Sequence, residues 1–192
     1  MNLILRTDRL LLRPLADGDI DICLALFTDP EVMKYVRAPK TRKMVEDDLV
    51  KICQRGGGGA IGVWCVTDCV TGEKLGTSVL LPLPVDQDDH DWSILQGEGY
   101  PPGEIEVGYI LKPSAWGRGI ASEACARLLR FAFEETPLEE IVAVTDPDNA
   151  ASQNVLTKCG LVRQHDRRAY NHDDVPAFRI SKVQWLARQA RS

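Results

Sequence analysis

Glu106-Val107-Gly108-Tyr109-Ile110-Leu111-Lys112, then Pro113-Ser114-Ala115, then Trp116-Gly117-Arg118-Gly119-Ile120-Ala121, reads as a strand, a glycine-rich turn and the start of a helix. The strand, Glu104 to Lys112, carries Ile, Val and Tyr, which suit a pleated surface, and Pro113 ends it. The helix runs from Gly119 to Glu134. Ile120, Ala124, Leu128 and Ala132 line one row, Ala121, Cys125 and Leu129 lie beside it, and Glu123, Arg127, Arg130 and Glu134 take other faces. Successive glycines let backbone N–H groups converge on one anion. A helix that begins there adds the positive end of its dipole. Together they make a pyrophosphate site.

Working outward, Arg9 to Pro14 reads as a first strand, and Asp17-Gly18-Asp19 opens a helix with Ile20, Leu24 and Phe27 on one face. A second helix covers Thr41 to Gln54, capped by Thr41. Gly56 to Gly59 resembles a phosphate cradle only in composition. A strand follows it, so no helix N-terminus faces an anion, and a mobile loop is expected. Ala60 to Val66 and Lys74 to Leu81 form a hairpin turning near Thr71-Gly72. Pro82 to Gly103 is a long loop in which Asp86, Asp88, Asp89 and Asp91 crowd together. Beyond the central helix, Leu138 to Thr145 is a strand and Asn149 to Cys159 a short helix ended by Gly160. Leu161 to Tyr170 and Asp174 to Val183 are expected to close the sheet as an antiparallel pair, followed by a polar tail. The expectation is one α+β (mixed α/β) domain over 1–192, with 82–103 as an insertion.

The chain has 192 residues, with 28 acidic and 23 basic side chains and a net charge of −5. An acidic chain without a basic run is a poor nucleic-acid binder, because phosphate neutralisation needs a basic face. No apolar run reaches membrane-spanning length, and the short N-terminus lacks a signal core. The six cysteines form no C-x-x-C pair, and His90, His165 and His172 lie far in sequence from Cys65 and Cys69, so no metal site is expected. Most of these cysteines sit in apolar runs and read as buried small hydrophobes, which suits a reducing cytoplasm.

Three phosphate-binding patterns compete for the central turn. A P-loop needs Gly-Lys-Ser/Thr where this chain has Gly-Ile-Ala. A dinucleotide fingerprint would use Ser122 as its small residue and Asp146 as its acid, but the repeated βαβ units are missing. The third is the GNAT acyltransferase pattern Gln/Arg-x-x-Gly-x-Gly/Ala, matched by 116–121 except for Trp116 in the first place. Over nearly its whole length the chain resembles that superfamily. It is most similar to the ribosomal-protein alanine N-acetyltransferases, through RTDRLLLRPL (6–15), EVGYILKPSAWGRGIASEA (106–124) and DPDNAASQNVLTKCGLV (146–162).

The resemblance implies a mostly antiparallel sheet, splayed between the strands at 104–112 and 138–145 and flanked by about four helices. It implies acetyl-CoA as co-substrate and no metal. Pantetheine would enter the gap like an added strand, on backbone groups near Ile110 and Leu111. Trp116, Gly117, Arg118, Gly119, Ile120, Ala121 and Ser122 would form the pyrophosphate cradle. Asn149 and Ser152 would face the thioester arm and Asn154 would lie further along it, with Lys158 near the 3′-phosphate. Asn149 also reads as a helix cap, and Ser152 as a plain first-turn residue. The acceptor would be a protein N-terminal amine or a small amine, bound by a monomer or homodimer.

The chemistry requires a neutral amine. An α-amine has a pKa of about 8 and lysine about 10.4, so deprotonation at pH 7 costs roughly 1.4 and 4.6 kcal/mol. Glu106 is the candidate base, with Glu104 two residues earlier on the same face as a possible carboxylate partner. A strand amide near Leu111 is the candidate oxyanion donor. Ser152, with Tyr170 as runner-up, is the candidate proton source for the leaving thiolate. The acidic loop 82–104 is expected to wall the acceptor site and attract a cation. Two other functions use the same turn: a non-catalytic acyl-CoA sensor and a nucleotide-binding oxidoreductase.

Overall fold

A computed structural model of the chain describes residues 1–97 and 99–190. The N-terminal half supplies β1 (Leu5–Arg6), β2 (Leu10–Pro14), α1 (Ile20–Phe27), α2 (Pro30–Met33), α3 (Arg42–Ile52), β3 (Gly62–Asp68) and β4 (Lys74–Pro82). The C-terminal half supplies β5 (Ile105–Leu111), α4 (Ile120–Glu135), β6 (Glu140–Val144), α5 (Ala150–Lys158), β7 (Val162–Arg163), β8 (Arg167–Ala169), β9 (His172–Val175), β10 (Ala177–Ser181) and α6 (Lys182–Gln189). Eight strands form one sheet in the order β1-β2-β3-β4-β5-β6-β10-β7, and β8–β9 stand apart as a hairpin. Every pairing in the large sheet is antiparallel except β5–β6.

That exception positions the site. β5, α4 and β6 form a right-sized crossover, and α4 buries Ile120, Ala124, Cys125, Leu128, Leu129 and Ala132 against the sheet. The two parallel strands meet at one register pair, Glu106 with Val142, and then part. β4 holds β5 along its whole length, from Gly76–Leu111 to Pro82–Ile105. At Gly76 there is no room for a side chain. A Cβ there would lie 2.3 Å from the Ile110 carbonyl oxygen and 2.8 Å from the Leu111 Cα. Backbone cannot swing aside as a side chain can, so Gly76→Ala is expected to cost about 1–3 kcal/mol, measured by denaturant unfolding. An unchanged midpoint would show that the strands tolerate the shift.

Several local expectations change. Six α-helices are present among the described residues, not four, because Pro30–Met33 and Lys182–Gln189 also coil. The second of these replaces the polar tail: Ser181 and Gln184 form a capping box, and Trp185 is buried beside Phe133. The closing antiparallel pair is also different. β10 pairs mainly with β6, and with β7 only through Phe178–Arg163 and Arg179–Val162. The chain reverses early at Tyr170-Asn171, which makes β8–β9, and Pro176, lacking an N–H, separates β9 from β10. In α1 the fully buried side chains are Ile22, Cys23 and Leu26, while Ile20, Leu24 and Phe27 are only partly covered.

The four-glycine segment is a hydrogen-bonded turn instead of the expected mobile loop. Arg55 donates to the carbonyls of Gly59 (2.7 Å) and Val63 (2.6 Å) while stacking on the Trp64 ring. Cys23, Cys65, Cys125 and Cys159 are buried and Cys53 is half-buried, but Cys69 is exposed. Burial pushes the Cys23 thiol up to about 12 and Cys65 up to about 11, so both stay protonated and unreactive.

Candidate active site

The turn before α4 leaves its amides free. Gly117 and Gly119 take positive φ (68° and 77°), and Gly119 occupies the N-cap position without any side-chain cap. The first backbone bond of the helix runs from Glu123 to Gly119. Among the described residues, the N–H groups of Ile120, Ala121 and Ser122 meet no protein acceptor. An uncapped helix start of eight residues or more is an anion site in waiting.

Hydrogen bonds from Thr7, Arg9 and Trp116 hold this turn. Arg9 donates to the Arg118 carbonyl (3.0 Å) and to Glu123 (2.6 Å), and Thr7 donates to the other oxygen of Glu123 (2.5 Å). The Trp116 indole N–H donates to the Leu111 carbonyl (2.9 Å) although the ring is 44% exposed. Trp116 therefore ties the turn to the end of β5. The Arg118 side chain is exposed and reaches only the Ser114 carbonyl.

A cleft of about 590 Å³ opens where β5 and β6 separate. Lys112 N–H donates to Leu75, so the even-numbered residues of β5 spend their backbone groups on β4. Ile110 is one of these, and it reaches the cleft through its side chain. Tyr109 and Leu111 are the residues whose backbones face the gap. Parity relative to a partner strand decides this, which the sequence alone does not carry. On the other wall, Asn149 Oδ1 accepts from the Ser152 N–H (3.0 Å), so it caps α5 while lining the cleft. Ser152 Oγ lies 3.0 Å from the Tyr109 hydroxyl. Asn154 and Lys158 are exposed on α5, away from the cleft lining.

At the fork sits Glu106, only 5% exposed. Its Oε1 accepts from His90 Nε2 (3.0 Å) and from the Tyr170 hydroxyl. No hydrogen bond reaches Oε2 from the described residues. Glu104 is not its partner; it pairs with Arg167 (2.6 Å). Loop 82–103 does wall the cleft, through Asp89, His90 and Trp92. Its expected negative field is weaker than the aspartate count suggests. Asp89 is neutralised by Arg37 (2.5 Å), and Asp91 caps the turn Trp92–Gln96. Burial works against the Asp89 charge, yet bonds from His90 and Arg37 hold its carboxyl well below the usual range.

Tyr170 is held in left-handed backbone (φ 50°), as is Asn171 (φ 59°), at the two-residue turn of β8–β9. Their N–H groups bond Pro84 and Val85, which fixes the turn over the cleft. Non-glycine residues in this region are strained and collect at functional sites. Burial, and then the Glu106 charge, push the Tyr170 phenol well above its ordinary value. In this arrangement the Tyr170 hydroxyl donates to Glu106 Oε1.

His90, which touches Glu106, and Arg37, which holds Asp89, were missing from the sequence reading. Neither lies on a periodic segment, and 16 residues of chain separate His90 from the carboxylate it touches. Among the described residues no group of three or more His, Cys, Asp or Glu is placed to hold a metal, and no helix is long and apolar enough to cross a membrane.

The acetyltransferase (GNAT) domain family matches residues 9–162. The chain belongs to the GNAT acetyltransferase family. It is similar to the FsC-acetyl coenzyme A-N(2)-transacetylase of Aspergillus fumigatus, 30% identical over 98% of this chain and 80% of that protein. Among solved structures it is similar to a GNAT-family acetyltransferase from Bacillus anthracis, with 21% identity, TM-score 0.72 and coverage of 94% and 99% of the two chains. A spermidine N-acetyltransferase from Vibrio cholerae, solved with CoA and spermine, gives 20% identity, TM-score 0.70 and the same coverages. This GNAT member is therefore an N-acetyltransferase with the family's fold.

The residues present fit acetyl-CoA. The free amides of Ile120, Ala121 and Ser122 suit a diphosphate, and the Tyr109 backbone with the Leu111 N–H suits an extended amide-bearing arm. Removing the Trp116 hydrogen bond with Trp116→Phe loosens the turn by about 1 kcal/mol. The expected result is a roughly fivefold rise in acetyl-CoA KM at unchanged kcat. A kcat loss with unchanged KM would place Trp116 elsewhere in the reaction.

Proposed function

We propose that this GNAT enzyme transfers acetyl from acetyl-CoA to a primary amine by direct attack, with Glu106 as general base. The observation that carries the reading is the buried Glu106 at the fork of β5 and β6, with Oε1 saturated and Oε2 open to the cleft. Bound there, the coenzyme supplies an acetyl thioester. Oε2 takes a proton from the amine, the nitrogen lone pair forms the new C–N bond, and the C–S bond breaks to release CoA thiolate. The Leu111 N–H, facing the gap, is the donor for the developing oxyanion. Gly117 to Ser122 bind the diphosphate, and Ser152, oriented by Tyr109, lies beside the thioester arm.

For the acceptor, two sources point different ways. The stretches 6–15, 106–124 and 146–162 favour a protein N-terminal amine, as in the ribosomal-protein branch. The fungal relative's name specifies an N(2) amine, the Vibrio neighbour's a polyamine, and a cleft of this size suits a small molecule. We favour a small amine handled in the cytoplasm by a single-domain enzyme. Free-thiol release from acetyl-CoA, measured with polyamines, amino acids and N-terminal peptides, tests the proposal. Turnover with at least one amine is expected. Tight acetyl-CoA binding with no turnover on the whole panel would favour the sensor reading.

A further inference from the structure

We infer that His90 is a positioning residue for acetyl transfer, holding Oε1 of Glu106 so that Oε2 is left as the proton acceptor. The inference rests on the reading of Glu106 as the base. His90 comes from the middle of loop 82–103, yet contacts on both ring nitrogens and on its backbone N–H hold it. Its Nε2 lies 3.0 Å from Glu106 Oε1 and 3.2 Å from the Tyr170 hydroxyl. Its Nδ1 lies 3.4 Å from Asp89 Oδ1, and its backbone N–H donates to the same oxygen at 2.8 Å. Asp89 is held in turn by Arg37 (2.5 Å) and Lys40 (3.8 Å), and Lys40 by Asp48 of α3 (2.6 Å). A chain of charges thus runs from the helix α3 to the carboxylate at the fork.

The ring is also fixed in plane. Trp92 packs on one side at 5.5 Å between centroids and Tyr170 meets it edge-on at 5.7 Å. A carboxylate faces each ring nitrogen, and an acceptor can bond only a nitrogen that carries hydrogen. Both nitrogens are served together only in the imidazolium form. Burial disfavours that charge, but the bonds to Asp89 and Glu106 outweigh it and raise the His90 pKa above its ordinary value. The groups facing the ring are therefore Asp89 from its own loop, Glu106 from β5 and Tyr170 from the β8–β9 hairpin, with Arg37 and Lys40 behind Asp89. A carboxylate with one oxygen doubly bonded cannot rotate, and its other oxygen keeps its aim.

The test compares two variants with different losses. His90→Gln keeps an amide N–H within reach of Glu106 but cannot titrate. His90→Phe keeps the ring between Trp92 and Tyr170 but has no donor. We expect His90→Phe to lose about 10- to 100-fold in kcat, with acetyl-CoA KM unchanged, and His90→Gln to recover most of that loss. The wild-type kcat profile should show a limb above the ordinary histidine pKa of about 6.5, where the imidazolium loses its proton, that His90→Gln lacks. Wild-type kcat and pH profile in His90→Phe, or equal losses in both variants, would overturn the role. If His90→Phe does not fold, the presence or absence of that limb in His90→Gln decides it. If Glu106→Gln keeps wild-type kcat, the reading of the base fails instead. If Glu106→Gln is inactive and His90→Phe fully active, only His90 is misassigned.

Discussion

Glu106→Gln is expected to cut kcat by about 10²- to 10⁴-fold while acetyl-CoA binds as before. The substitution preserves shape and replaces one carboxylate oxygen by an amide. The open oxygen, Oε2, is the only part of Glu106 without a described protein partner, so the loss falls on the proton acceptor. The coenzyme amides at Ile120 to Ser122 lie at the other end of β5 and are untouched. The size of the loss depends on the amine. An α-amine must give up about 1.4 kcal/mol to become neutral at pH 7, and a lysine-like amine about 4.6. The variant should therefore be rescued by alkali. Its rate should climb about tenfold per pH unit until the pH reaches the pKa of the amine, near 8 for an α-amine. Steady-state kinetics across pH and direct CoA binding read both parts. An unchanged kcat at pH 7 would remove Glu106 from the mechanism.

Asp19→Ala is expected to destabilise the fold by about 3 kcal/mol without direct contact with the cleft. Asp19 is 2% exposed and receives a two-pronged bond from Arg13 (2.6 and 2.7 Å), the Ala16 N–H (3.0 Å) and the Lys74 ammonium (2.9 Å). It joins β2, β4 and the start of α1 at one point. Removing it leaves Arg13 without its carboxylate partner, while Lys74 keeps Asp21 (2.5 Å). The figure sits at the low end for a broken buried pair because Arg13 and Lys74 still touch water. Burial opposes the Asp19 charge, but the bonds from Arg13 and Lys74 hold its pKa far below the usual carboxylate value. A depressed folded pKa contributes stability above the unfolded value, about 3.9, and that contribution fades as pH falls toward the folded one. The gap between wild type and variant in urea unfolding should thus be full at pH 7 and shrink below about pH 4. A gap independent of pH would assign the loss to packing alone.

How much of this could be read from residues differs by element. The strand–turn–helix of 106–121 was legible because it combines β-formers, two glycines and a long amphipathic row. Glu106 was legible through the resemblance, as the carboxylate before Val107-Gly108-Tyr109. Its partners were not, because His90 and Tyr170 lie on a loop and a strained turn, where no periodicity marks orientation. The choice between Ile110 and Leu111 depended on which neighbour claims each carbonyl, a property of register and not of residue type. The helix Lys182–Gln189 hid behind its composition, since Trp185 is its one buried side chain. The extra negative charge of loop 82–103 was visible, but the cations that cancel it come from elsewhere in the chain.

The parting of β5 and β6 has a cost in the free enzyme. The Tyr109 backbone and the Leu111 N–H form a stretch of unpaired ladder in the middle of a sheet, where an ordinary fold leaves none; the Leu111 carbonyl is held by Trp116. Such open edges invite added strands, including those of other molecules. The coenzyme arm, by occupying that edge, would also protect the protein from aggregation. Amide exchange at Tyr109 and Leu111 should accordingly be fast in the apo protein and slow sharply once acetyl-CoA binds, while Ile110, already bonded to β4, should change little.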